Sequence, residues 1–445
     1  MTHPPLPTGV PAGYAYPAVP LTRLLDDAAT DFPDHEALTY RGHRLSYEQL
    51  LDQVDRCAAG LRDLGLGAGD RIATLLPPSP QHLIVTLAAA RLGAVLAPLP
   101  AGATREVVGH AVTDLGCRAL VCEAEAYPLV AALKGRLPTV TTLLVTGEGA
   151  YAAFPRNLVA GIPRAARRDG VVPLKHLIRR SAPHVPQHPI EPARDLLAVV
   201  GTFGRGAAAD RTPASPWDRG VALTHQAVVA ASFQLRLWIP DVVAGQERLL
   251  VATPLDTGFG LAAGVGLPLL AAASVALSSG RTDRIDAEVA RHDATLAVGA
   301  AVTLRALGRG RGSLDSLRAA LADAPVAADD AEHAHAAAGV RLRGGLAVPE
   351  AAGLVLADAV YGPARAGAYG LPLPDTRLRV TGGDQPAEPG ETGTLEVAGP
   401  QLMRGYWGRP GESRAAVAEG WLRTGRRARI DGDGFVWPAS PDDSP

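Results

Sequence analysis

The basic side chains of this sequence limit the chemistry that its residues could perform. Of its 43 lysines and arginines, only Lys134 and Lys175 are lysines, so no primary amine follows position 175. A lysine ammonium is a compact charge, whereas an arginine guanidinium is a planar fork that stays protonated and pairs bidentately with carboxylate or phosphate. Chemistry that requires a compact ammonium beyond position 175 must therefore draw on another group.

The cysteines and the composition exclude several other kinds of site. Cys57, Cys117 and Cys122 are too few and too irregularly spaced for a disulfide framework or a thiolate metal site, which favours a reducing compartment, and we expect the cytoplasm. The net charge of -2 gives no reason to expect a nucleic-acid partner. Hydrophobic residues make up 47% and charged residues 20% of the 445, which is typical of a globular protein with two or three structural units.

One uncharged stretch, 258–277, is long enough to span a bilayer. Gly260, Gly264, Gly266 and Pro268 interrupt it, so we predict a buried helix followed by a buried strand at 273–277.

Helices and short apolar strands alternate through most of the chain. Ser46 is a candidate cap for a helix whose apolar face carries Leu50, Val54 and Leu61. Further segments are predicted as strands at 71–76, 94–98, 119–122, 139–145, 196–200 and 248–252, and as helices at 81–92 and 104–115. This alternation predicts an α/β fold with parallel sheets, which bind ligands at the carboxyl ends of their strands. Short strands at 376–380, 393–397 and 435–437 predict a small β-rich subdomain.

The predicted divisions of the chain follow its sequence order. They are a disordered lead-in at 1–20, a first α/β subdomain at 21–153, a connector at 154–195, a second α/β subdomain at 196–370, the β-rich subdomain at 371–437 and a tail at 438–445. The connector is basic over 154–192, and two interpretations of it remain open: a solvated linker, or a surface that contacts anionic membrane headgroups.

Four segments in the last third of the chain are similar, in order and spacing, to those of adenylate-forming ligases. They are 370–376 (GLPLPDT), 389–395 (PGETGTL), 399–407 (GPQLMRGYW) and 420–425 (GWLRTG). In the first half, the segments that resemble bacterial long-chain fatty acyl-CoA synthetases are 45–47 (LSY), 67–71 (GAGDR), 77–82 (PPSPQH) and 92–95 (LGAV). The resemblance covers residues 21–437 and implies the large domain of such a ligase.

The resemblance also implies a reaction. In such enzymes a fatty acid or another carboxylate is activated by ATP and magnesium to an acyl adenylate, from which coenzyme A displaces AMP. A carboxylate is a poor electrophile until one of its oxygens becomes a good leaving group, and the phosphate charge that develops must be neutralised.

The family's phosphate loop reads roughly T-S-G-T-T-G-x-P-K-G, and this sequence retains fragments of it. Thr202 and Gly204 match its start, Arg219 stands at the lysine position and Gly220 follows, but ten residues are inserted at 207–216. In one interpretation Arg205 or Arg219 still binds phosphate. In the other, which we favour, the segment is a remnant surface loop, because cradling of phosphate by the backbone depends on tight geometry.

The family's P-L-x-H-x-x-G motif, beside the acyl site, corresponds to 254–261 (PLDTGFGL), with Thr257 at the histidine position. Phe259, Gly260 and Leu346 are candidates for the wall of an acyl tunnel, and they are equally suited to core packing, which we favour.

The other nucleotide motifs have lost polar groups. Residues 322–325 (ADAP) stand where the family has a glycine-rich turn against adenine. The family's Y-G-x-T-E motif corresponds to 346–350 (LAVPE), which Gly345 precedes. Of the motif's residues only the glutamate is retained, as Glu350, and by resemblance it would hold magnesium. Arg426 replaces the aspartate that would bind the ribose hydroxyls, and a guanidinium has no acceptor lone pair.

The family continues into a lid domain that bears a catalytic lysine, whereas this sequence ends at Pro445, so we expect no lid in this polypeptide. The sequence therefore predicts a ligase-like protein whose catalysis is impaired or lost. Two alternatives remain open. One is a working enzyme that uses Arg205, Arg219 and Glu350, with a lid supplied by a partner protein. The other is a non-catalytic scaffold or regulator of a true ligase or of a carrier-protein pathway.

Overall fold

The computed structural model describes residues 6–153, 170–183, 188–203, 217–383 and 385–439. Gly204, Arg205, residues 154–169 and 184–187 of the predicted connector at 154–195, and the predicted tail beyond 439 lie outside the described residues.

Two large sheets built mainly of parallel strands form the body of the protein. The first sheet has eight strands, in the spatial order Gly405–Tyr406, Trp217–Thr224, Leu196–Phe203, Val95–Leu99, Arg71–Leu75, Ala119–Glu123, Thr142–Thr146 and Val172–Pro173. The second sheet has seven, in the order Arg341–Arg343, Ala319–Ala322, Leu296–Gly299, Arg248–Ala252, Ser274–Leu277, Glu36–Tyr40 and His43–Ser46. The predicted α/β class with parallel sheets is confirmed.

The two sheets exchange strands across the predicted divisions. Glu36–Tyr40 pairs in parallel with Ser274–Leu277 in the second sheet, although it comes early in the chain. Leu196–Phe203 lies beside Val95–Leu99 in the first sheet, although it comes late. The sheets therefore do not correspond to two consecutive stretches of sequence.

Helices cover the faces of these sheets. The α-helices are Leu21–Asp31, Tyr47–Asp63, Pro80–Arg91, Arg105–Leu115, Tyr127–Ala131, Leu174–Arg180, His225–Trp238, Gly258–Leu261, Leu267–Leu270, Ile285–His292, Ala301–Leu304, Ala328–Ala338 and Pro410–Ala416. A π-helical turn spans Ala262–Gly266, and short 3-10 turns span Lys134–Arg136, Glu148–Tyr151, Thr282–Arg284 and Pro349–Ala351.

The helix Tyr47–Asp63 begins where the sequence predicts. The Ser46 hydroxyl accepts a hydrogen bond from the Gln49 amide at 3.2 Å, and the Gln49 side chain accepts one from the Ser46 amide at 3.1 Å, which together form a capping box. Leu50, Val54 and Leu61 are buried, so the predicted apolar face is confirmed.

The helix Pro80–Arg91 is buried along its whole length. Its last residue, Arg91, is only 4% exposed, and its guanidinium pairs with Asp26 at 2.7 Å and with Asp55 at 3.1 Å. The charge at the end of this buried helix is therefore neutralised by carboxylates from Leu21–Asp31 and Tyr47–Asp63.

The uncharged stretch at 258–277 folds as two short α-helical segments joined by the π-helical turn, and then as the strand Ser274–Leu277. This confirms the prediction of a buried helical segment followed by a strand. Among the described residues, no helix combines the length and apolarity needed to cross a bilayer.

Two small antiparallel sheets complete the fold. One consists of Gly345–Val348, Gly353–Ala357 and Leu371–Pro372. The other, the small β-sheet, has the order Gln385–Pro386, Arg377–Gly382, Gly393–Ala398, Trp421–Ile430 and Val417–Ala418, with Val436–Pro438 also paired to Trp421–Ile430. The predicted β-rich subdomain is confirmed.

The described part of the lead-in is packed, which contradicts the prediction that 1–20 is disordered. The ring of Tyr14 stacks on Phe233 with 5.3 Å between centroids, and the Tyr16 hydroxyl donates to Asp375 at 2.9 Å. Val10 and Val19 contact the main core. Proline-rich sequence carries no helix or strand signal, but tyrosine and valine side chains can still be buried by partners distant in the chain.

Candidate active site

The two flanks of the degenerate phosphate loop are paired as an antiparallel hairpin. Thr202 lies opposite Arg219 and Gly201 opposite Gly220. The Thr202 hydroxyl donates to the Arg219 carbonyl at 3.2 Å, so this hydroxyl is engaged in holding the hairpin. Gly204 and Arg205, the other predicted loop residues, lie outside the described residues.

Gly220 is required by packing within this hairpin. A Cβ at this position would lie 2.4 Å from Val199 Cγ1 and 3.3 Å from Leu115 Cδ2. The glycine therefore allows the strand Trp217–Thr224 to lie close to its neighbours, which accounts for it without a phosphate.

Arg219, at the position of the family's lysine, is enclosed by partners from its own chain. Its guanidinium lies over the ring of Tyr406 at 4.5 Å from the centroid, and its Nη1 contacts Glu412 Oε2 at 2.6 Å. Its Nε contacts Asp218 Oδ2 at 3.2 Å. A phosphate would have to displace these partners in order to reach the guanidinium.

Glu412 is held as a carboxylate in this arrangement. It lies at the start of the helix Pro410–Ala416 and also pairs with Arg409 at 3.3 Å. Burial acts to raise the pKa of Glu412, but hydrogen bonds from Arg409 and Arg219 outweigh it and hold the pKa below its ordinary value.

Glu350, the predicted magnesium ligand, is bound by the same tyrosine. The Tyr406 hydroxyl donates to Glu350 Oε1 at 2.8 Å, and the Met403 amide donates to the Glu350 carbonyl at 2.7 Å. Burial, reinforced by the negative charge of Glu350, raises the pKa of Tyr406, so the phenol stays protonated and continues to donate. Tyr406 thus connects Arg219 to Glu350, and we call the chain Glu412–Arg219–Tyr406–Glu350 the latch.

The latch brings together two of the predicted residues, Arg219 and Glu350, and Gly220 lies next to Arg219 in the same strand. It also contains Tyr406 and Glu412, which the sequence did not single out. Gly405–Tyr406 pairs with Val221 and Ala222 at the edge of the first sheet, and this pairing places the tyrosine between the two charged residues. Tyr406 belongs to the GPQLMRGYW motif, but its partners in the latch are distant in the chain.

The charges in and beside the latch do not suit a polyphosphate. Asp218, Glu350 and Glu412 supply three carboxylates against the guanidiniums of Arg219 and Arg409, which leaves an excess of negative charge. Within the described residues, no group of three or more His, Cys, Asp or Glu side chains is arranged to hold a metal ion. In this arrangement Arg219 and Glu350, the groups that the resemblance assigns to phosphate and magnesium, are bound to residues of the same chain.

The position of the adenine-contacting turn is occupied by a structural carboxylate. Asp323 Oδ1 accepts a hydrogen bond from the Ala301 amide at 2.8 Å, and the Asp323 carbonyl accepts one from the Ala347 amide at 2.9 Å. Gly345, which begins the strand Gly345–Val348, is closely surrounded by other atoms. A Cβ at this position would lie 2.7 Å from both Leu354 Cδ2 and the Leu356 carbonyl oxygen. This part of the chain is fastened to the neighbouring helix and strand.

The position of the ribose-binding aspartate lies within the strand Trp421–Ile430. The Thr424 hydroxyl donates to the Leu395 carbonyl at 2.8 Å, and the Arg426 amide donates to the Thr424 hydroxyl at 3.2 Å. Thr424 therefore stabilises the small β-sheet, and Arg426 brings a cation to the place of an acceptor.

The predicted acyl-site residues are packed. Phe259 is 3% exposed, Leu346 is fully buried, and both belong to the main hydrophobic core. The Thr257 hydroxyl caps the helix Gly258–Leu261 by accepting from the Gly260 amide at 2.7 Å. A Cβ on Gly260 would lie 1.9 Å from the Pro254 carbonyl oxygen, so this glycine permits contact between two backbones.

Comparison with known proteins places this chain in a family. The profile of the AMP-binding enzyme family matches residues 25–196 and 219–407. The chain belongs to the AMP-binding enzyme family. The match omits 197–218, which includes the segment that corresponds to the phosphate loop, and resumes at Arg219.

Curated relatives within the AMP-binding family are acid–CoA ligases. The long-chain-fatty-acid–CoA ligase of Bacillus subtilis is 25% identical over 97% of this chain and 78% of its own length. The feruloyl-CoA synthase of an Amycolatopsis species is 30% identical over 91% of this chain and 74% of its own length. The resemblance to long-chain fatty acyl-CoA synthetases is confirmed.

Solved structures show the same fold. The inhibitor-bound N-terminal domain of FACL13 from Mycobacterium tuberculosis matches with a TM-score of 0.80 at 22% identity, over 95% of this chain and 99% of that domain. The anthranilate CoA ligase AuaEII in complex with anthranoyl-AMP matches with a TM-score of 0.82 at 19% identity, over 97% of this chain and 78% of that one. The predicted fold of an adenylate-forming ligase large domain is confirmed.

Proposed function

We propose that this AMP-binding family member is an acid–CoA ligase relative in which the activation of a carboxylate by ATP is impaired or lost. The latch is the observation that carries this proposal. The cation at the lysine position and the carboxylate at the magnesium position are both satisfied by Tyr406 and Glu412. They are therefore not available for a nucleotide unless the latch opens.

The size of the effect follows from the contacts that are missing. Each charge-assisted hydrogen bond lost from a nucleotide contributes about 1.5–3 kcal/mol. Four such contacts are missing here. They are those of the phosphate-loop lysine, of the hydroxyls of that loop, of the threonine replaced by Pro349 and of the ribose-binding aspartate replaced by Arg426. Together they would slow adenylation by several orders of magnitude.

The ancestral substrates of the site are proposed from its relatives. Those relatives are named for long-chain fatty acids and for ferulate, so a fatty or aromatic carboxylate is the acid to be tested, with ATP, magnesium and coenzyme A as co-substrates. The packed positions of Phe259 and Leu346 support a reduced acyl site, because an acyl chain would have to move side chains of the main core. We also propose the cytoplasm as its compartment, since all three cysteines are buried and free.

The test is pyrophosphate exchange by the purified protein with a panel of fatty and aromatic acids. The proposal predicts no acid-dependent exchange above background, and robust exchange with any acid would refute it. A working enzyme that recruits Arg219 for phosphate predicts instead that Arg219→Ala abolishes a measurable activity. Arg105→Ala, an exposed arginine at the start of the helix Arg105–Leu115, serves as the matched control.

A further inference from the structure

The small β-sheet has one apolar face and one cationic face. The residues whose side chains pack against the core are Val380, Leu395, Val397, Leu422, Ala428 and Val436, which are buried, and Leu378, which is half-buried. The residues that alternate with them on the opposite face are Arg377, Arg379, Glu396, Trp421, Arg423, Arg427, Arg429 and Trp437. Because side chains alternate along a strand, the sequence pattern alone separates these two faces.

The register confirms that the arginines share this face. Glu396 lies directly opposite Arg379 on one neighbouring strand and opposite Arg423 on the other, and directly opposed residues project from the same side. Arg429 lies opposite Trp437 in the same way. We call this side of the small β-sheet the Arg–Trp face.

The Arg–Trp face has a positive excess that the whole chain lacks. Among the strand residues assigned to this face, Glu396 is the one acidic side chain against five arginines, whereas the protein as a whole has a net charge of -2. Glu396 is 2% exposed and is covered by Arg379 at 2.6 Å and Arg423 at 3.1 Å. Asp431, which follows the last long strand, is bound by Arg365 and by the Trp437 indole.

Three of these arginines have unused capacity to bind carboxylates. Arg377, Arg427 and Arg429 make no ion pair with another residue in the described parts of the chain. Arg377 and Arg427 are exposed. A face whose arginines exceed its own acids is complementary to an acidic surface.

Guanidiniums lie over the rings of both tryptophans of this face. Arg379 lies 4.3 Å and Arg377 lies 5.2 Å from the centroid of Trp421, and Arg429 lies 5.3 Å from that of Trp437. Proteins that bind single-stranded nucleic acids offer bare aromatic faces for bases to stack on, and here guanidiniums lie over those faces. Pre-positioned guanidinium forks suit the planar, bidentate recognition of carboxylates.

The spacing of the face suits a helix that carries acidic side chains. Neighbouring strands lie about 4.8 Å apart, and alternate residues of one strand lie about 7 Å apart. Carboxylates one turn apart on a helix are separated by about 6 Å. One acidic stripe could therefore contact arginines on two strands at once.

We propose that the Arg–Trp face docks a glutamate- and aspartate-rich helical segment of a partner protein. The face lies on the sheet that contributes Arg426 and is distinct from the latch, so the inference holds whether or not adenylation is lost. It gives the protein an acidic partner that its overall charge would not predict.

The test measures binding of a glutamate-rich helical peptide of about 20 residues by the intrinsic fluorescence of the tryptophans, at low salt. The double variant Arg377→Glu/Arg427→Glu is compared with Arg105→Glu/Arg136→Glu, which makes the same charge change at exposed arginines of the first sheet's helices and loops. We expect the first variant to lose about tenfold or more in affinity and the second to bind like the natural protein. Circular dichroism checks that both variants are folded.

Other outcomes would overturn the proposal. Equal losses in the two variants would mean that the peptide senses net charge alone. Tighter binding of a single-stranded oligothymidylate or of phosphatidylserine vesicles, through the same two arginines, would assign the face to nucleic acid or to membrane. Failure of the natural protein to bind the peptide at low salt would also contradict it.

Discussion

Removal of one carboxylate from the latch should improve the binding of polyphosphate. In the natural protein, Arg219 must leave both Glu412 and the ring of Tyr406 before it can pair with a phosphate. The Arg219 and Glu412 side chains are 31% and 45% exposed, so solvent screens this pair and it contributes about 0.5–1 kcal/mol. The cation–π contact with Tyr406 adds about 0.5–1 kcal/mol.

Glu412→Gln removes the ion pair with Arg219 and one negative charge that repels phosphate, while keeping the size of the side chain. We therefore expect tripolyphosphate to bind about 2- to 5-fold more tightly to this variant, because a gain of 1.4 kcal/mol would correspond to about tenfold. Combining it with Tyr406→Phe, which frees Glu350 but retains the ring over Arg219, should add little for tripolyphosphate alone.

The assay is calorimetric titration with tripolyphosphate at low salt, and Glu332→Gln is the control. Glu332 is an exposed acid on the helix Ala328–Ala338, beside the far edge of the second sheet, so its removal changes the net charge equally without touching the latch. Equal affinities in the two variants would refute the view that Glu412 competes with phosphate for Arg219.

Three further predictions concern stability. Arg91→Met leaves Asp26 and Asp55 without their cation and should reduce the free energy of unfolding by about 3 kcal/mol or more. The measurement is unfolding in urea, with Arg105→Met as the control. A loss equal to that of the control would contradict the role of this ion pair. Burial raises the pKa of Asp358 to about 7, although the Arg365 amide and the charge of Arg343 act to lower it. The protonated carboxyl therefore contributes to stability below the ordinary aspartate pKa near 4, and this contribution is lost as the pH rises through 7. Asp358→Asn should therefore unfold at a higher temperature than the natural protein at about pH 8 and at nearly the same temperature at about pH 4, and parallel pH profiles would contradict this. Gly260→Ala forces a Cβ against the Pro254 carbonyl and should cost about 2–3 kcal/mol in the same urea assay, whereas Gly67→Ala, with open space around it, should cost less than about 1 kcal/mol.

Local signals predicted the elements well. The capping box at Ser46 and the apolar spacing of Leu50, Val54 and Leu61 are contained within one helix, and the strand Arg248–Ala252 was predicted at its observed bounds. The alternation of the last strands similarly indicated the small β-sheet. Such features depend on neighbours in sequence, so sequence alone suffices for them.

Contacts between distant segments were not predictable in the same way. Glu36–Tyr40 joins a strand at Ser274–Leu277, more than 230 positions away, and nothing in its own five residues specifies that partner. Tyr14 and Tyr16 are fixed by Phe233 and Asp375, which turns a proline-rich lead-in into packed structure. Pairing between distant strands and loops is decided by the whole core rather than by local propensity.

In the candidate site, too, local sequence was informative and contacts between distant segments were not predictable. The resemblance identified Arg219 and Glu350 as the residues that would have handled phosphate and magnesium. It did not indicate that Tyr406 would bind both, because that contact depends on the pairing of Gly405–Tyr406 with the strand Trp217–Thr224. The resemblance thus pointed to Arg219 and Glu350, and the structure shows which residues of the same chain bind them.

Arg219 and Glu350 are bound to residues of their own chain and are not poised for a nucleotide. The decisive experiment is calorimetric titration of the purified protein with ATP and magnesium. We expect a dissociation constant in the millimolar range or weaker, with little change on Arg219→Ala. Micromolar binding that is lost on Arg219→Ala would contradict it.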